Sequence, residues 1–179
     1  MDDIFMDALA AARIGQTHNQ YARSDLRRGR LAHYLASRAA ARIVLVGEAA
    51  GYRGARVSGI PFTSERQLTG AGPAEATATI VQRVLRELGI EAEVLLWNLV
   101  PTHPHRPGEP ASNRRPTTAE IAAARPFLRA LAASGPSDRL LLAVGRLAQR
   151  ELSGPYIRHP SHGGATAFRE TLRSCVVTS

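Results

Sequence analysis

Three short apolar runs punctuate the chain: Ile43-Val44-Leu45-Val46, Val94-Leu95-Leu96-Trp97 and Leu140-Leu141-Leu142-Ala143-Val144. Runs of this length and type, bounded by polar or glycine positions, are how strands buried on both faces look. Strands are therefore predicted over 42–48, 92–98 and 139–144, with a shorter one over 156–159. Helix-period segments lie between them. The Ala-rich segment 1–15 reads as helix and 15–23 as a polar connection. Ser24 or Asp25 caps a helix reaching about residue 40, with Leu26, Leu31, Tyr34 and Leu35 on its inner side. A helix over 74–88 is ended by Gly89. Others are predicted over 118–133, irregular around Pro126, from 145 to 152, and over 164–174.

Strands alternating with helices predict an α/β fold: a single three-layer domain with a four-stranded, mainly parallel sheet flanked by helices. One unit spans 1–179, with 1–41 an N-terminal helical region packed on it. Ligands of such sheets bind beyond the carboxyl ends of the strands. That is where the polar motifs of this chain fall.

Charge changes the picture next. The 179 residues carry a formal net charge of +8, which suggests a polyanionic partner, because a cation near a phosphate releases condensed counterions. The plainer source is base composition, since all 23 basic residues are Arg. Without lysine, no side chain can form a Schiff base with a sugar aldehyde. One cysteine, Cys175, excludes a disulfide framework and a four-cysteine metal or iron–sulfur site. No apolar run is long enough for a membrane span, and Met1-Asp2-Asp3 is unlike a secretory leader, so a cytoplasmic location is expected.

The first motif follows the first strand, Gly47-Glu48-Ala49-Ala50-Gly51 through Gly59-Ile60-Pro61-Phe62-Thr63-Ser64-Glu65-Arg66. Its glycines admit close approach of a ligand. Phe62 is either a stacking face for a base or core, and Arg53, Arg56 and Arg66 suit phosphates. The second motif ends the second strand at Asn98. A carboxamide there is costly to bury unless satisfied, by a base edge or by a loop cap. The Pro/Arg-rich loop beyond it carries Arg106 and Arg114, and His103 and His105 are a weak metal pair. The third motif, Arg158-His159-Pro160-Ser161-His162-Gly163-Gly164, precedes the last helix, and its His159 is placed to donate to a developing anion.

Taken together, these residues resemble the uracil-DNA glycosylase superfamily over about residues 42–173. The Gly-Glu-Ala-Pro-Gly and Gly-x-Pro-Phe signatures match Gly47–Gly51 and Gly59–Phe62. The strand-end Asn matches Asn98, and His-Pro-Ser matches His159-Pro160-Ser161. The resemblance implies that Phe62 stacks on a flipped uracil, Asn98 reads its edge and His159 steadies the departing anion through O2. Backbone near Glu48 and Ala49 would meet the base carbonyls. Arg53, Arg56, Arg66, Arg106, Arg114, Ser161, His162 and Gly163 would contact DNA.

Departures from the pattern qualify this. Ala50 replaces the usual Pro. Four-cysteine branches are excluded. Ala49 stands where one branch carries its water-activating Asp or Asn, which leaves Glu65 or Glu48 as activator, or catalysis dominated by leaving-group stabilisation. Gly51 replaces a bulky Tyr at the base's C5, implying weaker rejection of thymine. The expected protein is a monomeric, monofunctional glycosylase of uracil-containing DNA, with no cofactor, metal, iron–sulfur cluster or membrane association. The rivals are a non-catalytic nucleobase or nucleic-acid binder of the same fold, and a metal hydrolase built on His103, His105, His159 and His162.

Overall fold

The computed structural model describes residues 3–177; the predicted start of the first helix, at residues 1 and 2, lies outside them. Its sheet has the order β3-β2-β5-β6, formed by β2 (Ile43–Ala49), β3 (Val94–Val100), β5 (Leu140–Val144) and β6 (Tyr156–Ile157). Every pairing in it is parallel. A two-residue ribbon, β1 (Thr17–His18) with β4 (His103–Pro104), adds a small antiparallel sheet inside what the sequence offers only as loops.

Strand alternation divides the core in two. Val44 and Val46 of β2, with Leu95 and Trp97 of β3, face α1 (Asp3–Ala11), α2 (Asp25–Ser37) and α6 (Thr118–Ala133). Ile43 and Leu45, with Leu96, face α5 (Ala76–Leu88) and α8 (Ala165–Val177) on the other side. Covered on both faces, these strands need apolar residues at consecutive positions, which explains the unbroken runs.

The predicted layers hold, and the differences are local. β3 continues two residues past Asn98, and β6 stops two short of His159, leaving that histidine in a loop. Leu26 is not on the inner side of α2: at 63% exposure it faces solvent, being the second residue of a helix whose buried stripe is Leu31 and Leu35. Helix α6 runs unbroken through Pro126. Two short helices inside the first motif, α3 (Ala55–Ser58) and α4 (Glu65–Thr69), have too few residues for a periodic signal. The remaining helix, α7 (Arg146–Glu151), follows β5 directly. Among the described residues, no helix is long and apolar enough to cross a membrane.

Candidate active site

A cavity of about 390 Å³ opens beyond the carboxyl ends of β2, β3 and β6. Glu48, Phe62, Glu75, Asn98 and His159 line it, with the backbone of residues 49–51. Its size falls in the range of small-molecule pockets. A cleft of about 410 Å³ beside α6 is lined by Arg125, Arg129, Arg150 and Glu151 among leucines. Arg125 is bonded to Glu151 there at 3.2 Å.

The floor is set by register. Gly47 of β2 stands opposite Asn98 of β3. A Cβ on Gly47 would lie 2.4 Å from Cζ of Phe62 and 2.9 Å from Oδ1 of Asn98. The bare glycine is what lets ring and carboxamide meet. Asn98 is 4% exposed, and its amide makes no hydrogen bond to any described residue. The loop-cap reading required one.

Phe62 is held with φ of 50°, in the left-handed region that a bulky side chain avoids. Gln82 holds it there by donating to its carbonyl at 3.2 Å, while the Ser58 hydroxyl donates to the Thr63 carbonyl at 2.6 Å. Strain of this kind, of order 1–3 kcal/mol, persists where surrounding structure over-determines it. The other non-glycine residue with positive φ among those described is His162, on the opposite motif of the same cavity.

His159 has a defined proton. The backbone N–H of Ser161 donates to its Nδ1 at 3.2 Å, and the Ser161 hydroxyl lies 2.8 Å from the same atom. An N–H can only donate, so Nδ1 is the acceptor and the neutral ring carries its hydrogen on Nε2. Burial, then the nearby Arg158 and His162 charges, hold the pKa of His159 below its usual value. The ring is a neutral donor at pH 7.

The acids separate. Glu48 lines the cavity near His159: a Cβ on Gly145 would lie 3.5 Å from His159 Cβ and 3.9 Å from Glu48 Oε1. Glu65 lies outside the lining, where Arg30 grips its carboxylate through two bonds of 2.8 and 3.0 Å. In this arrangement the carboxylate the sequence offered for water activation is engaged outside the cavity. Glu75, which the sequence reading missed, lines the cavity instead.

The expected phosphate contacts divide as well. Arg53 is exposed and unpaired among the described residues. Arg56 lies over the Tyr52 ring at 4.8 Å, Arg66 donates to the Gly72 carbonyl, and Arg106 pairs with Glu109. Arg114 reaches the rim but is bound twice by Glu120, at 2.6 and 2.8 Å, which makes it a brace rather than a free cation. Ser161 orients His159, and Gly163 is exposed at the mouth beside His162. Asn113 ties the second motif to the first by accepting from the Tyr52 N–H at 2.9 Å. His103 is buried with Nδ1 2.8 Å from the Ala50 carbonyl, fixing the loop after β2. No group of three or more potential metal ligands occurs among the described residues.

An aromatic ring, an unpartnered carboxamide and a neutral imidazole donor are thus gathered beyond the ends of the parallel sheet of an α/β domain. The family model of the uracil DNA glycosylase superfamily matches residues 35–178, and the chain belongs to that superfamily. Among solved structures the chain is similar to wild-type SMUG2 of Pedobacter heparinus, with a TM-score of 0.70 and 12% identity over 97% of each chain. Identity so low speaks for a shared fold. Comparison with curated proteins finds no match.

Proposed function

We propose that this protein is a monofunctional DNA glycosylase that hydrolyses the N-glycosidic bond of uracil. The observation that carries the reading is the convergence of Phe62, Asn98 and His159 on one cavity, with the amide of Asn98 left unpartnered. A flipped uracil would stack on Phe62 and offer its N3–H and O4 to the carboxamide. The Nε2–H of His159 would donate to O2 as negative charge builds on the departing base. Such a preorganised donor strengthens in the transition state and needs no reorganisation.

The sugar gains positive charge as the base leaves, and water completes the hydrolysis. A carboxylate on the cavity wall orients that water and offsets the charge. Of the two acids nominated from sequence, Glu48 is on that wall. With no lysine in the chain, the product is an intact strand bearing an abasic site.

The test is an incubation of the protein with single- and double-stranded oligonucleotides containing one uracil. Strand scission should appear only after alkali or heat, and borohydride should trap no adduct. Tight binding to uracil-containing DNA without excision would favour a binding domain of the same fold. Scission during the incubation itself would contradict the monofunctional reading.

A further inference from the structure

We propose that Glu75 is a further catalytic residue of this site: its carboxylate takes the proton of the water that attacks the sugar. The proposal rests on the glycosylase reading and assigns one step of it.

Glu75 occupies the N-cap position of α5, yet its side chain makes no cap bond to the helix. It crosses instead to the turn after β2 and lies over two glycines. A Cβ on Gly51 would sit 2.0 Å from its Oε1, and one on Gly54 2.0 Å from its Oε2. Neither glycine has a left-handed φ, and both leave room for this carboxyl. The carboxyl lies in the space that a side chain at Gly51 would take.

That acid is unpartnered. Its carboxyl oxygens have no hydrogen-bond donor and no ion pair among the described residues. The group is half-buried and lines the cavity, so its free acceptors face the space a substrate would enter. Burial alone raises its pKa above the ordinary 4.5. The elements around it carry Arg53 and Arg56 after β2, Arg114 on the loop after β4, and Glu48, His159 and His162 on the cavity wall; none pairs with it. A carboxylate whose pKa is raised by burial is a better general base than an ordinary one.

Position also favours Glu75 over Glu48. A carboxylate beside His159 stands where negative charge develops on the leaving base, and opposes it. Glu75 rests on the Gly51–Gly54 turn, whereas Glu48 and His159 meet at Gly145. The step balances. The water oxygen bonds to C1′ as the C1′–N1 pair leaves with uracil. One water proton goes to Glu75, the other stays on the new C1′ hydroxyl, and Glu75 then releases its proton to solvent.

The experiment measures single-turnover excision from a uracil oligonucleotide between pH 5 and 9 for wild type, Glu75→Gln, Glu75→Ala and Glu48→Gln. Glu75→Gln should be slower by about 100-fold or more, as loss of a general base typically is, with oligonucleotide affinity kept. Wild type should show a rate that rises with pH through the raised pKa of Glu75, and both Glu75 variants should lack that limb. Added formate should restore part of the Glu75→Ala rate by entering the vacated space. A structural role would show neither the lost limb nor the rescue. A Glu75→Gln rate within threefold of wild type, a slower Glu48→Gln, or no rescue by formate overturns the assignment while leaving the glycosylase reading intact. If wild type excises no uracil at all, that reading falls and Glu75 falls with it.

Discussion

Two neighbouring regions bury polar side chains in opposite ways. At Glu120, on the first turn of α6, every acceptor is used: Arg114 donates twice, and the backbone N–H groups of Thr117 and Gln16 donate at 2.9 and 3.3 Å. On the cavity wall, buried Asn98 and half-buried Glu75 have no such partners. The first arrangement is how a fold makes a buried charge tolerable. The second leaves polar groups open on a cavity wall, where a ligand or solvent can meet them. Backbone strain follows the same division, since both described non-glycine residues with positive φ belong to the cavity.

The contrast breaks first at Glu120. Glu120→Ala should destabilise the fold by about 3–5 kcal/mol, the usual loss when one partner of a buried pair is removed. Arg114 hydrogen bonds hold the Glu120 carboxyl at a pKa of about 2, below the ordinary 4.5. A depressed carboxylate stabilises the fold above pH 4.5, and that stability is lost as pH falls toward about 2. In full it amounts to about 3 kcal/mol. Urea denaturation of wild type and variant across this window should converge at the acid end. Persistent separation there would mean that Glu120 acts through packing, not charge.

His159→Ala should do the reverse. Excision should fall by about 100- to 1000-fold, the common result of removing one preorganised donor, while melting temperature and much of the DNA affinity remain. Because Ser161 makes Nδ1 an acceptor and burial keeps the ring neutral, the His159 contribution needs no added proton. Raising pH through the ordinary imidazole range should not cost activity. A rate that collapses there would mean the imidazolium is the working form.

How much of this was legible in the sequence depends on which kind of polarity is asked about. The sheet was readable because strands covered on both faces must be apolar without interruption, and Asn98 was conspicuous as the polar residue breaking such a run. Phe62 and His159 were readable from their motifs. The pairing of Glu65 with Arg30, residues 35 apart in sequence and brought together by α2 and α4, had no local signal. Nor had Glu75, whose N-cap position gives an ordinary local account of it. Its partner glycines, Gly51 and Gly54, were visible, but as sites of backbone freedom. Only tertiary placement turns them into space for a carboxyl.

Asn98 sharpens the comparison at the level of a single hydrogen-bond pattern. Uracil offers a donor at N3 beside an acceptor at O4, and cytosine offers the reverse. A carboxamide with its oxygen toward N3 satisfies the first and, in that orientation, leaves two unmet groups against the second, each costing about 1–3 kcal/mol. Asn98→Ala should therefore lower uracil excision sharply. Asn98→Asp should lower it too while narrowing the gap to cytosine, because a carboxylate accepts from the cytosine amino group and repels O4. Excision rates on matched oligonucleotides give the ratio; if both variants leave it unchanged, the base is read elsewhere.

The smallest effect tests the boundary between the two kinds of site. Glu65 sits on the first turn of α4, only three residues from Phe62, and sequence alone makes it a fair candidate for the water. Its carboxylate is instead held by both guanidinium nitrogens of Arg30, with each side chain about one-fifth exposed. A group so engaged resembles Glu120, not Glu75. Glu65→Gln keeps the shape, removes the charge and leaves Arg30 with a long 3.4 Å contact to the Ser58 carbonyl. The expected loss is about 1–2 kcal/mol of stability, with the single-turnover excision rate unchanged. An undiminished melting temperature together with a large loss of rate would reverse the assignment, because it would mean that the Arg30 pair opens when DNA binds and frees Glu65 for the chemistry.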